Sequence, residues 1–172
     1  MAFRPPRVFW LVILIFSSIA LLAEENRVQP DLSVVDSLQR ILTDPGIQDT
    51  TRVDALLALA WQMKSSEPRQ ALDFAIQALE ISVAGNLILR RALAMNHLGV
   101  IYWQMNDFPR ALDYLTESNM LFVEKADRVG IARSSSNLGL VYSDQGHYDK
   151  ALEFFLVAYN IYSDLGEQGG LS

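Results

Sequence analysis

The chain has 172 residues, with 14 Lys and Arg against 20 Asp and Glu, and a formal net charge of −6. No stretch clusters the basic side chains that phosphate contacts need, so the composition argues against a nucleic-acid partner. Cysteine is absent, which excludes disulfides, thiolate metal sites and a cysteine nucleophile.

The first element is an export signal. MAFRPPR carries Arg4 and Arg7 ahead of an apolar run from Val8 to about Ala23, softened only by Ser17 and Ser18. A basic start followed by such a run is the pattern of a secretory signal, and the run falls short of the roughly 20 apolar residues of a full bilayer crossing. Small residues at Ser18 and Ala20 offer cleavage after Ala20, with a second option after Ala23. An uncleaved anchor is the other reading, and it would confine membrane contact to residues 8–23. The expected location is outside the cytoplasm, periplasmic or anchored facing the periplasm. Residues 1–23 are therefore read as a signal peptide or signal anchor, 24–50 as a leader plus a capping helix, and 51–172 as a repeat array.

Residues 24–30, EENRVQP, read as a flexible leader. The next stretch, PDLSVVDSLQRILTDPG, predicts a helix over about 31–43. Asp31 would cap it, Leu32, Val35, Leu38, Ile41 and Leu42 would form its apolar face, and Asp44-Pro45-Gly46 would stop it. Such a helix would cover the apolar end of the array that follows.

That array shows itself by self-similarity. Ala71, Ala111 and Ala151 stand forty residues apart, as do Gly99 and Gly139, Leu98 and Leu138, Tyr102 and Tyr142, and Gly130 and Gly170. Three copies result, at 51–86, 90–126 and 130–166. Each reads as two helices. In the third, Tyr148, Ala151, Leu152, Phe155, Ala158, Tyr159 and Tyr162 step by three and four along one face. SDQG and QMND break the pattern between helices, and SSEP offers Ser66 as an N-cap with Pro68 in the first turn. Short turns make neighbouring helices antiparallel. Gly139 and Ala151 would then be small because two helices cross closely there, and Tyr142 and Phe155 large because they fill the space beside the crossing.

Leu138-Gly139-x-x-Tyr142, followed by Ala151-x-x-x-Phe155 and Ala158, resembles the tetratricopeptide repeat. The second copy keeps Leu98, Gly99, Tyr102 and Ala111 but has Leu115 and Ser118. The first keeps only Leu59, Ala60 and Met63, with a turn one residue shorter before Ala71. Met95 and Ser135 stand where the family usually has Trp, its late Pro is missing, and the interval is forty rather than about thirty-four. The resemblance implies an all-α, right-handed solenoid of helix–turn–helix units. Residues 170–172 would begin the first helix of a further unit. Stopping there leaves the last apolar face uncovered, which reads as a fragment of something longer or as a docking or self-association surface.

No constellation for chemistry stands out. His97 has no acid or histidine four residues away on its helix, and His147 reads as a turn residue. Glu24-Glu25 belong to the leader, and Ser134-Ser135-Ser136 read as surface serines, lacking a nearby His or an elbow glycine. Trp61, Tyr102 and Tyr142 read as core aromatics, with only Trp103 lacking a core role. No phosphate loop or dinucleotide fingerprint occurs. The chain is expected to be no enzyme and to hold no cofactor or metal.

In proteins that this repeat resembles, the first helices of successive units line a concave groove that takes a peptide or protein. Carried over, that groove would hold Asn96, His97, Val100, Trp103 and Gln104 from the second copy. The third would add Arg133, Ser136, Asn137, Leu140 and Asp144. Asn137 stands where such grooves use Asn to bond a ligand backbone. The whole layout, with an export signal, a DSLQRIL helix, DTTRVDALLALAW and SSEPRQALDFAIQALEIS, resembles the extracytoplasmic input half of bacterial sensor histidine kinases. On that resemblance, any kinase, cyclase or phosphatase would lie beyond Ser172. The alternative is a self-contained exported scaffold for envelope proteins.

Overall fold

The computed structural model describes residues 30–169. The expected signal at 1–23, most of the leader and residues 170–172 lie outside them. The described residues form seven helices: α1 (Leu32–Leu42), α2 (Asp49–Met63), α3 (Pro68–Ala84), α4 (Ile88–Gln104), α5 (Phe108–Glu124), α6 (Arg128–Asp144) and α7 (Tyr148–Gly169). None of them is long and apolar enough to cross a membrane.

Helix ends follow local chemistry. The Asp31 carboxylate accepts from Ser33 N at 3.0 Å and Val34 N at 3.4 Å, capping α1. Asp107 and Asp127 do the same for Arg110 N and Gly130 N, at 3.2 and 3.0 Å. At α3 the expectation fails. Glu67 occupies the cap position without a side-chain bond, Pro68 is the first helical residue, and the Ser66 hydroxyl turns back to the Met63 carbonyl at 3.5 Å. The Glu67 N–H bonds the same carbonyl at 2.8 Å. The connection is also not short: α2 ends early, and Lys64–Glu67 fill the gap before Pro68.

The four connections from α3 to α7 share one design. Asn86, Asn106, Ala126 and Gly146 have positive φ, at 53°, 61°, 54° and 77°. Each is followed by a residue whose N–H reaches back to close the preceding helix: Leu87 to Ser82, Asp107 to Tyr102, Asp127 to Phe122 and His147 to Tyr142, at 2.8–3.0 Å. This is the Schellman arrangement, which satisfies the orphan carbonyls of a helix end at the cost of one left-handed residue. Asn and Gly bear that conformation cheaply, whereas Ala bears it at roughly 1–2 kcal/mol. Ala126→Gly is therefore expected to raise stability by about 0.5–1 kcal/mol, part of the relief being offset by the entropy of the freer chain. A urea midpoint equal to or below the parent's would show that residue 126 carries no strain.

Packing runs in two layers. Pairs α2–α3, α4–α5 and α6–α7 form hairpins, α3 packs on α4, and α5 on α6. The first helices touch in series, α2 with α4 and α4 with α6, whereas α3, α5 and α7 do not meet each other. The stack consequently bends toward the α2–α4–α6 side. Hairpins close at small residues. A Cβ on Gly99 would lie 2.5 Å from Leu115 Cγ, and one on Gly139 2.6 Å from Phe155 Cε1. A mid-helix glycine costs about 1 kcal/mol relative to Ala; seating the fully buried Leu115 against the α4 backbone returns about 1.5–3 kcal/mol.

Several expectations change at this level. Tyr142, read from sequence as a core aromatic, is half-buried, its ring stacked on Phe154 at 5.6 Å beside the crossing. Ser134 and Ser135 are interior, at 0% and 2% exposure. They sit between α5 and α6, where Asn119 Nδ2 donates to both hydroxyls at 2.8 and 3.2 Å. The Ser134 hydroxyl donates in turn to Gly130 O at 2.9 Å. Short side chains with internal hydrogen bonds allow that close approach, which a reading of serine as a surface residue misses. α1 packs on α2 alone and buries only Val35, leaving Leu32 and Ile41 exposed. α7 runs through to Gly169 without a turn equivalent to the one at Ala126, which α6 holds in place for α5.

Candidate ligand groove

On the inner side of the bend, α2, α4 and α6 enclose an open cavity of about 410 Å³ lined by Ala58, Trp61, Asn96, His97, Arg133 and Asn137. Helical spacing explains the set. Ala58 and Trp61 are one turn apart on α2, and Arg133 and Asn137 one turn apart on α6, so each pair shares a face. Asn96 and His97 fill the middle from α4.

A single polar rung crosses the floor, where Asn137 Nδ2 donates to Asn96 Oδ1 at 3.1 Å. That bond consumes the Asn96 oxygen and leaves its amide nitrogen buried with no acceptor. A buried donor without a partner within the protein costs about 1–3 kcal/mol. His97 is the second such group: its Nδ1 is enclosed and unbonded. Burial, then the Arg133 charge and more weakly that of Lys64, hold its pKa down at about 4 against a small upward pull from the Leu57 backbone. The imidazole is therefore neutral at neutral pH.

Trp61 forms the wall. Its ring lies 5.4 Å from the His97 ring, tilted by 42°, and the indole is 47% exposed. Lys64 Nζ lies 3.7 Å from the Trp61 ring centroid and donates to the Trp61 carbonyl at 3.1 Å. Neither Lys64 nor Arg133 makes an ion pair among the described residues. The cavity thus offers neutral and cationic donors, an aromatic wall and no carboxylate.

Of the ten residues projected onto the groove, the structure brings four together here: Asn96, His97, Arg133 and Asn137. Trp103 and Asp144 form a separate contact, Nε1 donating to Oδ2 at 2.7 Å, that ties the end of α4 to the end of α6. Gln104 reaches to the Ser65 hydroxyl at 3.4 Å. Ser136 is half-buried and Leu140 is 38% exposed, both outside the cavity lining. Val100 does not line the groove: at 3% exposure it belongs to the main core with Leu98 and Ile101, because α4 is flanked on three sides. Trp61, whose helical spacing points to the core, instead lines the cavity at 47% exposure. The signal existed. Thirty-nine residues before Asn96 and His97 stand Leu57 and Ala58, and projecting the groove onto the first copy leads within a turn to Trp61.

Residues 91–118 and 131–165 match the tetratricopeptide repeat. The two matched repeats cover most of α4–α5 and of α6–α7, which supply four of the six cavity residues. The α2–α3 hairpin falls outside the matched stretches. No curated protein matches the chain. Among solved structures, BtubC (BKLC) from P. vanneervenii is similar, with a TM-score of 0.63 at 23% identity over 76% of this chain and 54% of that one. MamA is similar with a TM-score of 0.53 at 23% identity, over 77% of this chain and 69% of that one. The chain thus spans about half the length of BtubC. These likenesses show the fold: an all-helical tetratricopeptide-like solenoid.

Proposed function

We propose that the chain is a non-catalytic module that takes a peptide or a segment of another protein into the groove between α2, α4 and α6. Tetratricopeptide repeats are protein–protein interaction modules, and the two matched repeats supply that coarse function. The groove reading rests on one observation: the Asn96 amide nitrogen is buried without an acceptor in a cavity that also presents Arg133 and Asn137. An acceptor on the ligand, a peptide carbonyl or a carboxylate, would satisfy these donors together. An apolar side chain beside it would lie against Trp61.

Selection from a displayed library of random peptides on the immobilised chain tests this. Enriched peptides are expected to lose at least tenfold in affinity for Arg133→Ala and for Asn137→Ala, and to keep it for Asp113→Ala on the outer layer. Affinities that ignore both groove changes would end the reading.

For the wider role, we propose that the module is the input half of a membrane-associated bacterial signalling protein, exported and facing the periplasm. Support comes from the basic-then-apolar start of the sequence and from the layout that resembles sensor histidine kinases. Membrane contact would run through residues 8–23. A self-contained exported scaffold for envelope proteins is the second reading. Reading the gene past codon 172 separates them: an apolar stretch of about 20 residues and an effector domain belong to the signalling reading alone.

A further inference from the structure

Charge is divided between the two layers. The inner helices α2, α4 and α6 carry five Arg against three Asp, whereas α3, α5 and α7 carry three basic residues against eight acids up to Asp164. Three of the inner arginines are answered within the protein: Arg90 by Asp54, Arg91 by Glu117 and Arg128 by Asp164. Arg133 has no such partner among the described residues, and its exposed side chain lines the cavity. The acid on the same helix, Asp144, lies three turns further on and is held by the Trp103 indole. The cavity is thus a cationic spot on the more positive layer of a net-negative chain, and that field favours entry of a negatively charged group.

The α6 wall continues beyond the cavity at both ends. Val129, one turn before Arg133, is 45% exposed, and Leu140, one turn after Asn137, is 38% exposed; helical spacing sets both on the Arg133 face. A lone exposed arginine is ordinarily a solvated charge. This one stands beside the buried Asn96 amide nitrogen that lacks an acceptor, and one carboxylate has acceptor capacity for both. Apolar surface on either side calls for ligand chain on either side, which a terminal carboxylate does not have. Spacing follows from the helix. Val129 and Arg133 are about 6 Å apart along the axis, and Arg133 and Leu140 about 10 Å. An extended ligand at about 3.3 Å per residue covers these in about two and three residues. We propose that the groove takes an internal, extended acidic segment lying along α6. Its Asp or Glu meets Arg133 and the Asn96 amide, with apolar residues two positions to one side and three to the other. The inference rests on the groove reading above and gives that ligand its chemistry.

Peptides enriched from the displayed library on the full chain supply the probes. They are expected to share an Asp or Glu flanked by apolar residues at those offsets. Synthesised with both ends blocked, such a peptide should lose about tenfold in affinity when its acid becomes Gln. On the Arg133→Gln protein the same change in the peptide should cost nothing further. The Arg133→Glu protein should instead prefer the peptide with Lys in place of the acid. Arg133 is exposed, so far-UV circular dichroism of both variants should match the parent and separate lost binding from lost folding. Enriched peptides that need Asn137 but carry no acid would overturn the acidic-ligand inference and leave the groove standing. So would peptides that bind only with a free C-terminal carboxylate. No enrichment, or peptides indifferent to both Asn137 and Arg133, would remove the groove reading and this inference with it.

Discussion

Phe122→Ala is expected to cost about 3–5 kcal/mol of stability, a fall in melting temperature on the order of 10 °C for a chain of this size. Phe122 is fully buried near the end of α5, its ring against the backbone of Gly130 at the start of α6. Truncation leaves a void that two helices pinned by the Asp127 cap and the turn at Ala126 cannot close. The expected signature goes beyond a lower midpoint. In a stacked array each helix pair is held only by its neighbours, so weakening the α5–α6 contact should let α6–α7 unfold ahead of the rest. Urea titration followed by circular dichroism should show a broadened or two-step transition. A single sharp transition with a loss below about 1 kcal/mol would show that the ring is not the joint between the pairs.

Gly130→Ala tests the same joint from the other side. Exchanging a helical glycine for alanine ordinarily gains up to about 1 kcal/mol. Here the new Cβ would stand 2.2 Å from Phe122 Cδ1 and 2.5 Å from Cγ. That overlap involves the rigid part of a buried ring, and overpacking of this kind costs about 1–3 kcal/mol or more. The clash should win, giving a net loss of about 2 kcal/mol in urea denaturation. Gly130→Ala combined with Phe122→Leu should be less destabilised than the sum of the two single changes, because the smaller side chain makes room. A Gly130→Ala protein more stable than the parent would mean that the helices do not approach as closely as described.

Recurrence makes the hairpin crossings, though not the Phe122–Gly130 joint, readable in the sequence. Gly99 and Gly139 return in step with Leu98/Leu138 and Tyr102/Tyr142, and both turned out to lie where one helix crosses the other. Asp31 was legible because an acid before an apolar helical run has one obvious use. Other residues were not, for particular reasons. Ser66 has the chemistry of a cap, but the Glu67 N–H already reaches the Met63 carbonyl, which sets the helix start one residue later. Ser134 and Ser135 are small and polar, and composition alone cannot tell a serine facing water from one facing Asn119. Val100 and Trp61 exchanged roles for a geometric reason: α4, in the middle of the stack, is covered on sides that α2 leaves open. Four of the six cavity residues could be read by projecting a groove onto the second and third copies. Its aromatic wall lay in the first copy, where the pattern is faintest.

The four left-handed turns carry one more consequence. They fall at residues 86, 106, 126 and 146, so the main chain recurs at half the interval of the side-chain pattern. The elbow inside a hairpin and the elbow between hairpins are the same object. Only the placement of tiny and bulky side chains says which helices are partners. A gene of this kind could gain or shed a forty-codon block at any elbow, and the new splice would already have the right angle.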